Sequence, residues 1–373
     1  MYKNNKFKKI FFDYLPTLAM AESKRVFPSI FQNSSFKKGS ASLNITDKCN
    51  LRCVMCKQWR QADKDELSTE KWKDVISQLK KIGINEINFT GGEPLLRNDI
   101  LELTKLASSL DITCGITTNG SLLSESRINE LIDNGVKIFT LSIDALNEEY
   151  EKIRGVENSF KNAENAAKII SGLKKEGKID VNISFVLMKK TLKNLLEVIS
   201  FCKKLDLPIV ICLLDKSPYL FDLESQKELW INKEDYDSLE KIQKLLHKEK
   251  RLNNTTIYNS FRDIDFFKDY FMDPIQKRIP CVVSQTRIFI DSTGDIFGGC
   301  WSMGKFGNIN KNKLSEIITS SRYQDTHEKM FFKNCPGCSC GYSINLRYAP
   351  ILQLKSQIKR LFKDNYKKRG KDE

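Results

Sequence analysis

The sequence predicts an α/β protein whose core is a partial (β/α)6 TIM-like barrel, followed by a small α+β domain. Between Ala41 and Asp215, short runs rich in Ile, Val, Phe and Thr alternate with helical patterns. This alternation favours a parallel sheet with right-handed crossovers. Six units close only part of a barrel, and a hairpin signal and a cysteine-rich turn follow them.

The six predicted strands are short. They are Ser42–Thr46, Glu86–Thr90, Ile112–Thr117, Val136–Ile143, Asp180–Leu187 and Pro208–Leu214. In barrels of this kind the functional side chains lie at the C-terminal ends of the strands. The loops that follow these runs are therefore the predicted location of the site.

Helical spacing of apolar residues predicts the helices between the strands. One helix carries Trp72, Val75 and Leu79, with Ser68 as N-cap and Gly83 beyond its end. The same reasoning predicts Ser124 as the N-cap of a second helix. For a third helix, which contains Leu195 and Ile199, the predicted N-cap is Thr191.

The segment 216–280 is predicted to be a less regular barrel extension with one helix near Lys233–Leu252. A hairpin follows, with strands at Arg287–Asp291 and Asp295–Trp301 around a turn at Ser292–Gly294. A short helix is expected near Leu314–Ser320. The boundaries predicted for the core and the last domain are 41–215 and 281–345.

Composition points to a globular protein of a reducing compartment. The chain has 373 residues, of which 40% are hydrophobic and 29% charged. No apolar run is long enough to span a membrane, and Asp13, Pro16 and Glu22 interrupt the only region that resembles a signal peptide. A cytoplasmic location is expected, so the 11 cysteines favour metal ligation or core packing over disulfides.

The positive charge is concentrated at both ends of the chain. Residues 1–40 carry a net +6 and residues 351–373 a net +5, out of +14 for the whole chain. The near-neutral remainder does not indicate nucleic-acid binding. The basic N-terminal arm (1–40) and the amphipathic C-terminal tail (346–373) predict peripheral contact with an anionic membrane or an acidic carrier. A solvated helix face is the alternative.

Cys49, Cys53 and Cys56 form a C-x3-C-x2-C motif directly after the first strand. A structural zinc site would require a fourth ligand, and no Cys or His follows until Cys114. Three thiolates on an iron–sulfur cube leave one iron open to a small molecule. The motif therefore favours a cluster with an open coordination position.

Together with GGEP (Gly91–Pro94) after the second strand, CNLRCVMC resembles the radical S-adenosylmethionine (SAM) superfamily over about residues 41–215. The resemblance implies a 4Fe–4S cluster whose open iron binds SAM. The reduced cluster then cleaves SAM to a 5′-deoxyadenosyl radical that abstracts a hydrogen atom from substrate. The protein positions the cofactors and excludes water.

The same resemblance implies SAM-binding roles for six residues. Gly91 and Gly92 would let the backbone approach SAM, and Glu93 would accept hydrogen bonds from its ammonium group. Met55 would meet the adenine. Ser142 and Arg154 would contact the ribose and the carboxylate of SAM. The turn Thr118–Gly120 is either a pocket-lining segment or only a favourable turn.

The last quarter of the chain holds a second group of cysteines. Their order resembles the twitch domain, the shortened relative of the SPASM domain, which implies one auxiliary 4Fe–4S cluster. The four predicted ligands are Cys281, Cys300, Cys335 and Cys338. Cys340 is spare or replaces Cys338, and zinc is the alternative by spacing alone. Cys114, Cys202 and Cys212 are expected to pack in the core.

The resemblance implies an enzyme that starts a radical reaction. It does not identify the substrate of that reaction. The order of the second cysteine group resembles that of twitch-containing alcohol dehydrogenases, which implies oxidation of an alcohol or a sugar. Membrane contact by the two basic arms would instead favour an envelope-linked substrate. A peptide-modifying maturase is the alternative within the same class. A non-catalytic zinc or iron–sulfur protein is the alternative from another class. A low-potential electron donor such as flavodoxin or ferredoxin is the expected partner.

Overall fold

The computed structural model describes residues 39–61, 65–215, 227–252, 255–274, 281, 283–331 and 338. The predictions for the C-terminal tail lie outside these residues, as do those for the N-terminal arm except at its last two positions. In the described part of the chain, none of the helices has the length and apolar character needed to cross a bilayer.

One sheet of nine strands organises the described residues. Its strands are β1 (Ser40–Thr46), β2 (Glu86–Gly91), β3 (Thr113–Thr118), β4 (Val136–Ser142), β5 (Asp180–Leu187), β6 (Ile209–Leu213), β7 (Arg287–Ile290), β8 (Asp295–Phe297) and β9 (Gly307–Asn308). The order across the sheet is β6-β5-β4-β3-β2-β1-β7-β8-β9. Strands β1 to β6 are parallel, as predicted for a partial barrel.

Helices follow the strands of the barrel. They are α1 (Thr69–Lys81), α2 (Ile100–Ser109), α3 (Glu125–Asp133), α4 (Asn147–Arg154), α5 (Ser159–Lys175) and α6 (Leu195–Lys204). The strand residues that pack under them, such as Leu43, Phe89 and Phe185, are fully buried. This layer forms the main hydrophobic core and holds the C-terminal strand ends in place.

Two of the three predicted N-caps are confirmed. Ser68 and Ser124 each accept a hydrogen bond from the backbone N–H three residues later, at 3.2 Å. The prediction for Thr191 is wrong. Its hydroxyl donates to the carbonyl of Val186 at 2.7 Å, and a 3-10 turn at Leu192–Asn194 separates it from α6.

The segment after the barrel is more helical than predicted. Besides α7 (Tyr236–Leu252), it contains α8 (Phe261–Met272), which opens with a capping box between Ser260 and Asp263. Three further helices lie near the hairpin: α9 (Val283–Thr286), α10 (Leu314–Thr319) and α11 (Ser321–Phe331).

The hairpin is an extension of the barrel sheet. Strand β7 pairs in parallel with β1 over Ser40–Leu43, and β8 and β9 continue the sheet antiparallel to their neighbours. The C-terminal part of the chain is therefore joined by backbone hydrogen bonds to the strand that leads into the first cysteine motif.

Candidate functional site

The first cysteine loop leaves the end of β1 and is fixed to the C-terminus of α4. The backbone N–H groups of Arg52 and Val54 donate to the carbonyls of Arg154 and Ile153, at 2.8 and 2.9 Å. These carbonyls belong to the last turn of a helix, which lacks internal partners for them. The loop that carries Cys49, Cys53 and Cys56 thereby supplies hydrogen-bond donors to the last carbonyl groups of α4.

A glycine that the sequence analysis did not single out makes this contact possible. Gly155 caps α4 in the left-handed conformation, with φ of 69°. A Cβ at this position would lie 2.5 Å from the carbonyl oxygen of Arg52. Only glycine combines that backbone conformation with so close an approach of the cysteine loop.

Gly91 and Gly92 also bring two backbone segments of this chain together. A Cβ on Gly91 would lie 2.2 Å from the carbonyl oxygen of Thr46, and one on Gly92 would lie 2.2 Å from that of Lys48. In the structure these glycines therefore pack β2 against the start of the cysteine loop. A role of the two residues towards SAM stays a prediction.

Glu93 is completely buried and already accepts three hydrogen bonds. The hydroxyl of Thr118 donates at 2.8 Å, and the backbone N–H groups of Asn119 and Leu95 donate at 2.8 and 3.2 Å. Burial raises the pKa of Glu93 to about 7, although these bonds favour the ionised form. The predicted contact with an ammonium group would use a lone pair of the Glu93 carboxylate that these three hydrogen bonds leave free.

The turn after β3 connects Glu93 to the cysteine loop. Besides the bonds from Thr118 and Asn119 to Glu93, the side-chain amide of Asn119 donates to Asn50 Oδ1 at 2.9 Å. The amide of Asn50 in turn donates to the hydroxyl of Ser121 at 2.7 Å. The turn is therefore joined by hydrogen bonds to both Glu93 and the cysteine loop, and its pocket-lining role stays a prediction.

Arg154 is buried at the centre of the site. Its guanidinium lies 2.5 Å from Asp144 Oδ2 and donates to the Cys53 sulfur at 3.6 Å. Burial opposes the charge, but the carboxylate of Asp144 and the Cys53 thiol raise the pKa of Arg154 above its usual range. The guanidinium therefore remains a permanent cation beside the cysteine loop.

Ser142 and Met55 occupy positions next to these groups. Ser142 ends β4, pairs with Ser184 of β5, and is half-buried. Met55 lies within the cysteine loop and is only 6% exposed, so it packs against the core from inside the motif. Their contacts with ribose and adenine stay predictions.

The chemistry of these residues fits a cluster with bound SAM. Burial raises the pKa of Cys49 to about 11 and that of Cys56 to about 12. Without a metal both thiols would keep their protons at neutral pH, and coordination by a cluster would replace those protons. Arg154 Nε is buried and has no hydrogen-bond partner, so a carboxylate acceptor at this point would satisfy it.

In the described residues, no three His, Cys, Asp or Glu side chains are arranged to hold one metal ion. The cysteines that bind a cube each contact a different iron, and their sulfur atoms need not converge on one point. The donor set is therefore compatible with a cluster.

Three of the four predicted auxiliary ligands lie together. Cys281 and Cys300 are each 5% exposed and share a small apolar cluster with Val283 and Met330. A hydrogen bond with Cys338 raises the pKa of Cys300 well above its ordinary value, with burial as the next cause. Cys335 and the alternative ligand Cys340 lie outside the described residues.

The inner face of the barrel sheet is polar and accessible. Most half-buried residues on this face are amides and hydroxyls, although Ile138, Val186 and Val210 also lie there. The polar ones are Ser42, Asn88, Thr90, Thr117, Thr140, Ser142, Asn182 and Ser184. The prediction that Cys212 packs in the core is wrong. It is exposed on this face, 3.8 Å from the Ser184 hydroxyl, whereas Cys114 and Cys202 are fully buried as predicted.

Sequence reasoning missed residues whose roles depend on distant partners. Asp144 lies two residues after Ser142. Its position beside a predicted site residue could have identified it as a candidate partner for Arg154. Gly155 follows Arg154 and has the signal of a helix C-cap. Asp47 hydrogen-bonds with Ser292, 245 positions away, and no local pattern reveals that contact.

Comparison with known proteins identifies two domains. A radical SAM superfamily model matches residues 43–210, and a model of SPASM, an iron–sulfur cluster-binding domain, matches residues 281–341. The radical SAM match covers the barrel strands and the first cysteine motif. The SPASM match covers the hairpin and the second group of cysteines.

Relatives with established names match parts of the chain. Fe-coproporphyrin III synthase from Methanosarcina barkeri is 30% identical over 191 residues, which are 50% of this chain and 46% of that protein. PqqA peptide cyclase from Bradyrhizobium diazoefficiens is 30% identical over 167 residues, 44% of this chain and 43% of that protein. The chain thus spans less than half the length of these relatives.

The fold has solved counterparts. The crystal structure of Streptococcus suis SuiB bound to precursor peptide SuiA aligns with a TM-score of 0.62 at 18% identity, over 81% of this chain and 69% of that chain. The barrel, the cysteine loop and the two family matches agree with one another. The chain therefore carries a domain of the radical SAM superfamily at residues 43–210, whose members use a 4Fe–4S cluster and SAM, and a C-terminal SPASM domain, which binds iron–sulfur clusters.

Proposed function

We propose that this enzyme abstracts a hydrogen atom from a peptide and so starts a modification of that peptide. The comparisons support this alternative better than oxidation of an alcohol, sugar or envelope-linked substrate. One relative is a peptide cyclase, and one structural neighbour is bound to a precursor peptide. They give no support to a membrane or a carrier as partner.

The polar inner face of the barrel is the observation that carries the proposal. Each residue of a peptide backbone brings one donor and one acceptor that need partners when they leave water. Amide and hydroxyl side chains such as those of Asn88, Thr117 and Asn182 can serve as both. Complete TIM barrels fill this space with packed side chains, whereas here it is lined mostly by small polar groups that solvent reaches.

The chain's own residues would hold the cofactors as follows. Cys49, Cys53 and Cys56 would bind the cluster, which supplies the electron for SAM cleavage when it is bound. Arg154 would donate its buried Nε–H to the carboxylate of SAM, while Glu93 would accept from the ammonium group. Asp144 and the end of α4 keep Arg154 in place for this contact.

The C-terminal cysteines would hold an auxiliary cluster. Cys281, Cys300, Cys335 and Cys338 are the proposed ligands, within a domain that spans 281–345. Because β7 of this domain pairs with β1, the auxiliary cluster would have a fixed position relative to the barrel core, 41–215. A cluster there could take up an electron from the substrate radical.

The experiment is a hydrogen-transfer assay with the anaerobically reconstituted protein. About eight irons per chain are expected for two cubes of four. Short peptides encoded beside the gene, deuterated at carbon, would be offered with SAM and a reductant. Deuterium in the released 5′-deoxyadenosine and a changed peptide mass would support the proposal.

The controls distinguish a failure of the peptide proposal from a failure of the radical SAM assignment. A Cys53→Ala variant should release no deoxyadenosine with any substrate. Two results together would overturn the peptide proposal while leaving the enzyme class intact. The released deoxyadenosine would contain no deuterium with any peptide, and it would contain deuterium when a deuterated sugar or alcohol is the substrate. Metal analysis that returned zinc alone would exclude the cluster assignment.

A further inference from the structure

A half-buried arginine lies on the inner face of the barrel sheet, on the strand that begins the C-terminal hairpin. Arg287 is the first residue of β7 and pairs with Ser40 of β1, and Phe289 pairs with Ser42. The isoleucines on either side of Phe289 are fully buried in the main hydrophobic core. Because side chains alternate between the two faces of a strand, Arg287 and Phe289 lie on the face that Ser42 shares.

The side chain of Arg287 is directed into the space that the barrel encloses. Five strands separate β7 from β6 in the sheet, yet the charge of Arg287 acts on Cys212 of β6. Cys212 is solvent-accessible but surrounded by protein atoms, so burial raises the pKa of its thiol, and the charge of Arg287 partly opposes this increase. Because such an effect falls off with distance, the curved sheet must bring both side chains towards the same cavity.

Arg287 has no counter-charge among the described residues. In that part of the chain, no carboxylate forms an ion pair with its guanidinium and no group accepts a hydrogen bond from it. Glu86 lies on the same face, but Ser40 of β1 stands between them. The guanidinium contacts the ring of Phe289, at 5.9 Å from the ring centre. A cation that is partly removed from water in this way is stabilised when an anion binds beside it.

Aromatic packing and strand pairing fix the position of Arg287. Phe289 stacks on Trp301 with ring centres 4.7 Å apart, and Trp301 also packs against Phe297 at 4.6 Å. Strand β7 pairs with β1 on one side and with β8 on the other. The backbone of Arg287 and the ring that it contacts are therefore held in place, which lowers the entropy cost of binding a ligand there.

We propose that Arg287 binds a carboxylate of the substrate peptide and thereby selects peptides that present one. The planar guanidinium matches a carboxylate through two parallel hydrogen bonds. An acidic side chain and the C-terminus of the peptide are the two sources of such a group. Either would anchor the peptide on the side of the cavity that the SPASM hairpin forms. The inference rests on the proposed function and names one determinant of its peptide substrate.

The test measures binding of peptide probes to the reconstituted holoenzyme with SAM, by equilibrium dialysis. Two probes are short peptides of Gly and Ala, capped at both ends, with Glu or Gln at the centre. The third has the Gln centre and a free C-terminal carboxylate. At least one carboxylate peptide should bind the wild-type protein about tenfold or more tightly than the capped Gln peptide. The peptide that does so identifies the source of the carboxylate.

Variants of Arg287 assign this preference to its side chain. Arg287→Gln should remove the preference while the affinity for the capped Gln peptide stays the same, a pattern that general damage to the cavity would not produce. Arg287→Lys keeps the charge and loses the planar fork, so it should retain only part of the preference. Arg262→Gln is the matched control, because it removes the same charge from the exposed surface of α8. Iron content and urea unfolding report whether each variant has folded.

Four outcomes are decisive. Equal affinity of the wild-type protein for all three peptides would overturn the proposal, however the variants behave. An undiminished preference in Arg287→Gln or, if that variant does not fold, in Arg287→Lys would also overturn it. Tighter binding of inorganic phosphate or glucuronate, lost in the Arg287 variants, would assign the subsite to a small anion instead of a peptide. A carboxylate preference without deuterium transfer from any peptide would support the subsite and overturn the proposed reaction.

Discussion

The hydroxyl of Ser292 donates a hydrogen bond to Asp47 Oδ2 at 2.9 Å, and both residues are buried. Ser292 lies in the turn of the C-terminal hairpin, whereas Asp47 stands two residues before Cys49. The carbonyl of Ser292 also accepts from the backbone N–H of Leu67 at 2.8 Å. The SPASM hairpin thus contacts the start of the cysteine loop directly.

Ser292→Ala is expected to loosen the cysteine loop. Removing the donor deprives a buried carboxylate of one hydrogen bond, at a cost of about 1–3 kcal/mol in the free energy of unfolding. Cluster loss to a chelator should also become faster. The control is Thr293→Ala, whose hydroxyl bonds only to Asp291 within the same turn. Equal rates of iron loss in the two variants would contradict a role of Ser292 in holding the loop.

Gly155→Ala should damage the site more than an ordinary glycine replacement. An alanine in left-handed conformation costs roughly 1–2 kcal/mol, and here its Cβ would also displace the carbonyl of Arg52. Gly177→Ala is the matched control, since Gly177 has a φ of 71° and no atom within 4 Å of the added Cβ. Urea unfolding and iron content are the measurements. A loss of stability no larger than that of Gly177→Ala would contradict the close packing.

Asp144→Asn should be strongly destabilising, because it leaves the buried guanidinium of Arg154 without its counter-charge. Breaking a buried ion pair on one side costs on the order of 3–5 kcal/mol. Asp206→Asn is the control. It breaks the exposed pair with Lys174, 2.9 Å apart, which should cost about 1 kcal/mol or less. Similar unfolding free energies for the two variants would show that the Asp144–Arg154 pair contributes little.

Glu93 should make the stability of the metal-free protein depend on pH. Its pKa is raised from 4.5 to about 7 by burial, so between these values the folded state holds a proton that the unfolded state releases. Stability should therefore fall as pH rises through this window, by on the order of 3 kcal/mol, and level off above it. Urea unfolding from about pH 5 to about pH 8 measures the slope, and Glu93→Gln should reduce it. Equal slopes in the two proteins would contradict the raised pKa.

Local sequence signals predicted the barrel well. Hydrophobic runs identified all six strands of the barrel, β1 to β6, and Ser68 and Ser124 act as N-caps because each is followed by an amphipathic helix. Thr191 has the right residue type for a cap, but its hydroxyl bonds instead to the preceding strand. Helix α8 was missed although its buried residues Ile264, Phe267, Tyr270 and Phe271 recur at helical spacing, because its many charged and aromatic residues were interpreted as an irregular segment.

The parts of the site that could not be predicted depend on contacts far apart in the chain. The motif CNLRCVMC indicated the cluster loop, but its anchoring by Ile153, Arg154 and Gly155 arises only when α4 packs beside it. Cys212 was assigned to the core because a strand pattern does not show which of its faces is solvent-accessible. The pairing of β7 with β1 is equally invisible to local patterns.

The pairing between β1 and β7 has a consequence for attempts to shorten the protein. A version ending after residue 215 would expose the backbone N–H and C=O groups of β1 along Ser40–Leu43. An uncovered strand edge of this kind recruits other chains and promotes aggregation. The barrel segment on its own is therefore a poor unit for expression, even though it contains the entire cysteine motif that defines the superfamily.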